Sequence, residues 1–422
     1  MLWKRIKTEP HRARLSKFMK WYYKIFLAGI IACAPARLQA EPGTIITLRN
    51  IADRVRTDNP DLKAARFIID EAVGKLHQSG RLENPELISE LENNTGLDSG
   101  RVELGLSQKL PVTNRLKLEK NLGTTQVLAA KAEVREFTNR LVGEAGEALV
   151  HVLAIRERQK LLAEQSTLSK ELADFISESA KKGEASSLDA GQARLEASRF
   201  VTQSRQLAAT EQRAIGELKP LLGIGLGKAL HVSGSLPSLK LPDGADEMTR
   251  PAMEIARLAV IAAEQETEIE RTKRYGDVRT GFYAAGERFD NADDEGIVGI
   301  RFSIPLPFWD KNEGNIEAAE AKAKRRRLEV TALDQGIRLK AEAARAEMLE
   351  WAKLARETEQ TLLPQAAEQT DLAEQAWRNG QSDLLTVLRS REQRLELAAA
   401  RLEALQNFQL ALVRYRTALG NF

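Results

Sequence analysis

KGEASSLDAGQARLEASRFVTQSRQLAATEQRAIGELKPLLG (182–223) and NGQSDLLTVLRSREQRLELAAARLEALQNFQLALVRYRTALG (379–420) are one segment written twice. Each has glycine second (Gly183, Gly380) and glycine last (Gly223, Gly420), and Leu188 aligns with Leu385, Arg194 with Arg391 and Leu222 with Leu419. Working outward, VELGLSQKLPV (102–112) matches VGIRFSIPLPF (298–308), and NPDLKAAR (59–66) echoes RPAMEIAR (250–257). The offsets are 197, 196 and 191 residues, so only small insertions separate the copies. A tandem duplication on this scale organises the whole chain. The copies occupy 45–223 and 250–422, joined by a Gly/Pro/Ser-rich linker at 224–249.

Each copy reads helix, strand pair, very long helix, turn, helix. Ala, Leu, Glu, Gln, Arg and Lys dominate and aromatics make up only 5%, a composition of long helices. No proline occurs from 112 to 219, and after Pro307 only Pro364 interrupts. As one helix, 112–182 would run roughly 107 Å at 1.5 Å per residue. The shorter helices expected at about 50–83 and 184–219 together match that length, which predicts an elongated antiparallel layer. In the last helix Leu388, Leu395 and Leu402 recur every seven residues, with Ala398, Leu405 and Leu412 offset by three, a coiled-coil seam. Pro364 reads either as a bend in one long helix or as a break between two.

The strand pairs alternate. Val102, Leu104 and Leu106 interleave with Glu103, Gly105 and Ser107; Val298, Ile300, Phe302 and Ile304 interleave with Gly299, Arg301 and Ser303. Partners are expected at about 86–93 and 277–285. Such alternation suits a barrel wall between lipid and a wet lumen, and equally a half-buried soluble sheet. Four strands cannot close a barrel alone, since about eight is the practical minimum. A barrel reading therefore requires several copies of the chain.

The formal charge of +3 is an effect of the N-terminus: residues 1–40 hold nine of the 63 basic residues and one of the 60 acidic ones, leaving a net of −5 beyond them. That excludes the basic footprint of a nucleic-acid binder. Residues 1–40 read as an export signal peptide, a basic region followed by the apolar run Ile25–Ala34. The run is shorter than the roughly 20 residues that span a bilayer. Two processing routes stay open: cleavage after Ala40, or lipidation of Cys33, the only cysteine, within Ile30-Ile-Ala-Cys33. A search for chemistry finds none. His77, His151 and His231 have no partner at metal-ligand spacing, and GIGLGKA (223–229) lacks the P-loop spacing. Neither catalysis nor a cofactor is expected.

Two strand pairs, each followed by a long helical hairpin, resemble the TolC family of outer-membrane factors over roughly 45–421. FSIPLPFWDKNEGNIEAAEAKAK (302–324) and LLPQAAEQTDLAEQAWRNGQSDLLTVLRSREQRLELAAARLEALQNFQLALVRYRTALG (362–420) are similar to the CzcC-type heavy-metal branch. The resemblance implies a mainly helical fold with membrane strands: a homotrimer with four strands per subunit in one twelve-stranded barrel, prolonged by a periplasmic coiled-coil tunnel. It implies passive export in an efflux system, with a periplasmic adaptor, an inner-membrane proton-driven pump and outer-membrane lipid as partners. A duct for drugs or secreted protein is the alternative, as is an exported periplasmic coiled-coil adaptor. It places adaptor-docking tips at Gly183, Ala185, Ser186, Ser187 and Asp189 and at Gly380, Ser382 and Leu385. The family's acidic gate positions fall here on Thr386 and Arg389, a departure. Arg389 is expected to meet Asp189 or Asp383 of a neighbouring subunit.

Overall fold

The structure, a computed structural model, describes residues 44–93, 95, 99–242, 250–288 and 294–421. In chain order it places β1 (Thr44–Ile46), α1 (Ile51–Asp58), α2 (Pro60–Gln78), β2 (Glu86–Asn93), β3 (Gly100–Leu110), α3 (Arg115–Lys181) and α4 (Ser187–Leu221). The linker contributes β4 (Leu230–Val232). The second copy follows with α5 (Pro251–Thr272), β5 (Val278–Arg288), β6 (Glu295–Ser303), α6 (Glu313–Glu357), a π-helical turn (Thr358–Leu362), α7 (Leu363–Arg378) and α8 (Leu384–Leu419).

The single helix expected over 50–83 is two helices, and the first ends at Asp58. Pro60 has no N–H to continue a ladder and sits in the first turn of α2, where none is needed. Asn59 caps that turn, its Oδ1 accepting from the Leu62 N–H at 2.8 Å. Its Nδ2 donates to the Leu221 carbonyl at 2.9 Å, tying the start of α2 to the end of α4. Pro251 opens α5 in the same way. The glycines that close the hairpins, Gly223 and Gly420, have φ of 64° and 80°. A Cβ there would lie 2.2 Å from the Asp58 carbonyl oxygen and 2.9 Å from the Arg250 Cα, respectively. Both copies are thus sealed by a left-handed glycine pressed against the start of their own short helix.

The long helix of the first copy is unbroken for 67 residues, about 100 Å. In the second copy α6, the π turn and α7 continue one another without a loop from Glu313 to Arg378. Pro364 is absorbed as a local change of winding: the wider turn precedes the residue that cannot donate a hydrogen bond. The seam of α8 packs as expected, with Leu395 and Leu412 buried and Leu388, Leu402 and Leu405 half-buried. From Phe408 to Val413, however, α8 is buried on every side.

The linker explains this. Leu239 and Leu241 pack on Met348, Phe408 and Leu412, and Gln409, itself buried, donates to the Pro237 carbonyl at 3.0 Å. β4 pairs with β1. Arg156 of α3 donates to the Val232 carbonyl and, at 2.7 Å, to Glu211. The main core lies at this level, joining Ile46, Val55 and Leu62 to Leu149, Leu153, Leu218, Leu230, Leu410 and Val413. Part of the 224–249 linker is therefore a strap across both copies, while 243–249 lies outside the described residues.

Candidate functional site

The strands β2, β3, β5 and β6 form one antiparallel sheet in that order, so the two copies meet at β3 and β5. Glu86↔Ser107, Gly105↔Tyr283 and Tyr283↔Gly299 fix the register, and with side chains alternating every residue the register fixes the faces. One face carries Leu87, Leu91, Val102, Leu104, Leu106, Phe282, Val298, Ile300 and Phe302, all exposed. The other carries Glu86, Glu90, Arg101, Glu103, Arg279, Glu287 and Arg301. An exposed apolar face of this extent needs a partner, and lipid is the chemistry it matches.

The charged face holds a cluster of ion pairs. Glu103 is only 2% exposed and accepts from Arg101 and Arg301, each at 2.8 Å. Arg101 also reaches Glu287 at 3.1 Å, and Arg301 lies over the Tyr283 ring at 5.0 Å. Tyr283 in turn covers Gly299, where a Cβ would lie 2.5 Å from the ring. An aromatic laid over a neighbouring glycine is a device of curved walls. Nothing in the alternation alone pointed to this cluster, because Glu103 and Arg301 meet only once the copies are in register.

Among the described residues, no helix is long and apolar enough to cross a membrane. β2 and β6, the outer strands of the sheet, leave a free edge on each side. Beyond Ser303 the exposed Ile304, Leu306, Phe308 and Trp309 extend the apolar border. No group of three or more His, Cys, Asp or Glu among the described residues could hold a metal ion.

At the far end of the hairpins the reversals are built alike. Gly183 and Gly380 have φ of 79° and 71°. Their N–H groups donate to the Ala180 and Trp377 carbonyls, while Glu184 and Gln381 donate back to Ser179 and Ala376, a left-handed helix stop in each copy. A Cβ at either glycine would meet no atom within 4 Å, so backbone conformation alone demands glycine. The next helix starts on Ser186 or Asp383: Ser186 accepts from the Leu188 N–H at 3.1 Å, and Asp383 from the Thr386 N–H at 2.9 Å. The two tips are bound together by Ala173, Ile176, Ala190, Ala193 and Leu384, with Phe175 edge-on to Trp377. Leu188 and Leu385, equivalent in the repeat, stay 67% and 43% exposed; Ser187 is exposed and Ala185, Asp189 and Ser382 are half-buried.

Of the two gate positions, Thr386 is occupied locally, its hydroxyl donating to Asp383 at 2.5 Å. That bond and the Thr386 N–H, with Arg389 adding a smaller pull, hold the Asp383 carboxyl below its ordinary range. Arg389 is exposed and forms no ion pair within the chain among the described residues. Cys33 and the leader lie outside the described residues.

Residues 247–421 match the family described as Outer membrane efflux protein. The chain is 22% identical over 355 residues to the cobalt-zinc-cadmium resistance protein CzcC of Cupriavidus metallidurans, covering 81% of this chain and 82% of that protein. Its fold is similar to that of CusC, with a TM-score of 0.75 at 18% identity over 89% of this chain and 92% of that one. The outer membrane protein VceC of Vibrio cholerae is similar at a TM-score of 0.71 and 16% identity, covering 88% and 96%. Residues 247–421 thus carry the domain of the outer membrane efflux protein family, a family of transporters rather than enzymes, and the chain has the fold of its solved channels.

Proposed function

We propose that the protein is the outer-membrane duct of a tripartite efflux system that exports heavy-metal cations. Three copies would pool their sheets into one twelve-stranded barrel, and their helices would extend it as a tunnel into the periplasm. The observation that carries this reading is the sheet, apolar on one face and charged on the other, with an open edge on each side. In lipid an open edge leaves backbone groups without partners, so closure has to come from further copies. β2 and β6 run in opposite directions, which makes copy-to-copy pairing antiparallel like every pairing within the sheet.

In this reading Leu188 and Leu385, beside the tip glycines, receive the periplasmic adaptor, and an inner-membrane proton-driven pump feeds the tunnel. Thr386 and Arg389 line its mouth, with Arg389 facing Asp189 or Asp383 of the next copy. The heavy-metal assignment rests on the likeness to CzcC. With no resident metal cluster among the described residues, the cation would be cargo selected elsewhere in the assembly.

Membrane fractionation with heated and unheated gels tests the channel. The expected result is an outer-membrane oligomer that dissociates on heating; a detergent-free monomer would overturn it. Tolerance of a deletion strain to zinc, cobalt and cadmium tests the cargo, and loss of drug tolerance alone would replace metal by drug.

A further inference from the structure

The apolar face of the sheet is not the same at its two ends. The register puts Leu91, Val102, Ala284 and Val298 in the half away from the helices, with no aromatic at an outward position there among the described residues. Phe282, Ile300 and Phe302 lie in the half beside the helices. At the level of Phe302 the outward positions on β3 and β5 turn polar, with Gln108 paired to Thr280. The second copy nevertheless continues apolar through Ile304, Leu306, Phe308 and Trp309. In the first copy Thr113 stands at the position of Trp309.

This continuation is held from behind. Gly276 lies so close to Pro305 that a Cβ would overlap its ring. Asn312, left-handed with a φ of 58°, donates from Nδ2 to the Glu270 carbonyl at 2.8 Å, and its N–H donates to Asp310 at 2.8 Å. Between these ties the Phe308 N–H donates to the Leu306 carbonyl at 2.9 Å, and the Phe308 and Trp309 rings meet edge-on at 6.1 Å. The large side chains take no part in the fixing, and Trp309 is 96% exposed. Tyr275, next to Gly276, and Lys311 are exposed at the same end. Trp and Tyr have an apolar body and a polar N–H or O–H, which suits them to the headgroup layer, and a lysine there meets phosphate.

We infer that residues 304–309 are a membrane-surface anchor. Trp309 lies in the phospholipid headgroup layer on the side of the helices, with Leu306 and Phe308 in the acyl chains just beneath. The second copy therefore fixes how deep the barrel sits. Ile304 shares the outward side of Phe302, so the segment continues the lipid face and not the charged one. This inference rests on reading the sheet as the membrane-crossing part.

The test uses the full-length protein, reconstituted in phosphatidylcholine bilayers with bromine, a quencher of tryptophan emission, near the headgroup or near the acyl tail. Trp351 lies 38 residues along the helix from Glu313, roughly 57 Å at 1.5 Å per residue, and Trp377 lies farther. The lipid-quenched emission lost in Trp309→Phe is therefore that of Trp309. A Trp351→Phe/Trp377→Phe variant keeps the same emission as its only one beyond the leader. The expected result is loss of this emission to brominated lipid, larger with bromine near the headgroup than near the tail. Quenching by aqueous acrylamide alone would put the segment in water, and quenching by neither would put it under a second copy; both overturn the inference, as does strongest quenching from the tail. Heated and unheated gels of the same preparation separate the two readings. A heat-dissociable oligomer whose Trp309 escapes the brominated lipid sinks this inference alone. Absence of any membrane oligomer sinks the channel reading, and this inference with it.

Discussion

The two long hairpins are built to one pattern and nearly one length, yet they are packed differently. α3 buries large side chains along its middle, with Leu141, Val142, Leu149, Val150, Val152 and Leu153 in the main core. Its counterpart α6 buries chiefly alanine, with Ala319, Ala323, Ala341, Ala344, Ala352 and Ala355 interrupted only by Ile337 and Met348. Large residues fill a thick junction to which the N-terminal strand and the linker also contribute. Alanines let two helices approach closely and leave little volume to fill. The first hairpin is thus anchored in a core of large side chains, while the second buries chiefly alanine and changes winding at the π turn.

The largest expected effect breaks the thick junction. Leu149→Ala, at a site 0% exposed, should cost about 2–5 kcal/mol by leaving a cavity in the core. Ala344→Gly on α6 should cost only about 1 kcal/mol, the backbone penalty of glycine in a helix. Thermal unfolding of the detergent-solubilised protein, followed by helical circular dichroism, compares them; equal losses would contradict the contrast. Next comes proline. Thr167, exposed in α3, stands 197 residues before Pro364. Thr167→Pro should cost about 3 kcal/mol, because no π turn precedes it. Pro364→Ala should return far less than that, because the winding already accommodates the proline. A gain as large as the Thr167→Pro loss would show the π turn to be strain rather than accommodation.

Much of this architecture can be read from residues whose physics is local. The four strands are legible, since side chains on a strand face opposite sides in turn: β2 falls on the expected 86–93, while β5 and β6 lie up to three residues off the expected 277–285 and 298–304. Gly183 and Gly380 mark the reversals because a left-handed stop rarely tolerates another residue. The break at Asn59–Pro60 carried a signal too, an asparagine cap ahead of a proline, overridden by the apparent continuity of the helix. The wall cluster is different. Glu103 and Arg301 are 198 residues apart, and their contact depends on how β3 aligns with β5. The strap is equally non-local: Gln409 looks like one more polar residue on α8 until residues 237–238 are seen to lie over it. Such contacts are decided by the register of distant segments, and short-range pattern carries no information about that.

The smallest effects sharpen the comparison at the tips. Gly183→Ala and Gly380→Ala should each cost about 1–2 kcal/mol, and equally, because both glycines stand in open space and only the left-handed backbone is penalised. The caps should then separate what the glycines do not. Ser186→Ala should cost about 1 kcal/mol at any pH, since a hydroxyl cap does not titrate. Asp383 caps as a carboxylate, and its bonds to the Thr386 hydroxyl and N–H lower its pKa in the folded chain. A lowered folded-state pKa means the stabilisation is complete above the unfolded value near 3.8 and fades as pH falls through the lower, folded one. Amide hydrogen exchange at Thr386, corrected like that at Leu188 for its intrinsic rate, should therefore lose protection on acidification, while exchange at Leu188 should not. If both tips loosen together in acid, the carboxylate is not what holds the second one, and the tips are coupled through Phe175 and Trp377 instead.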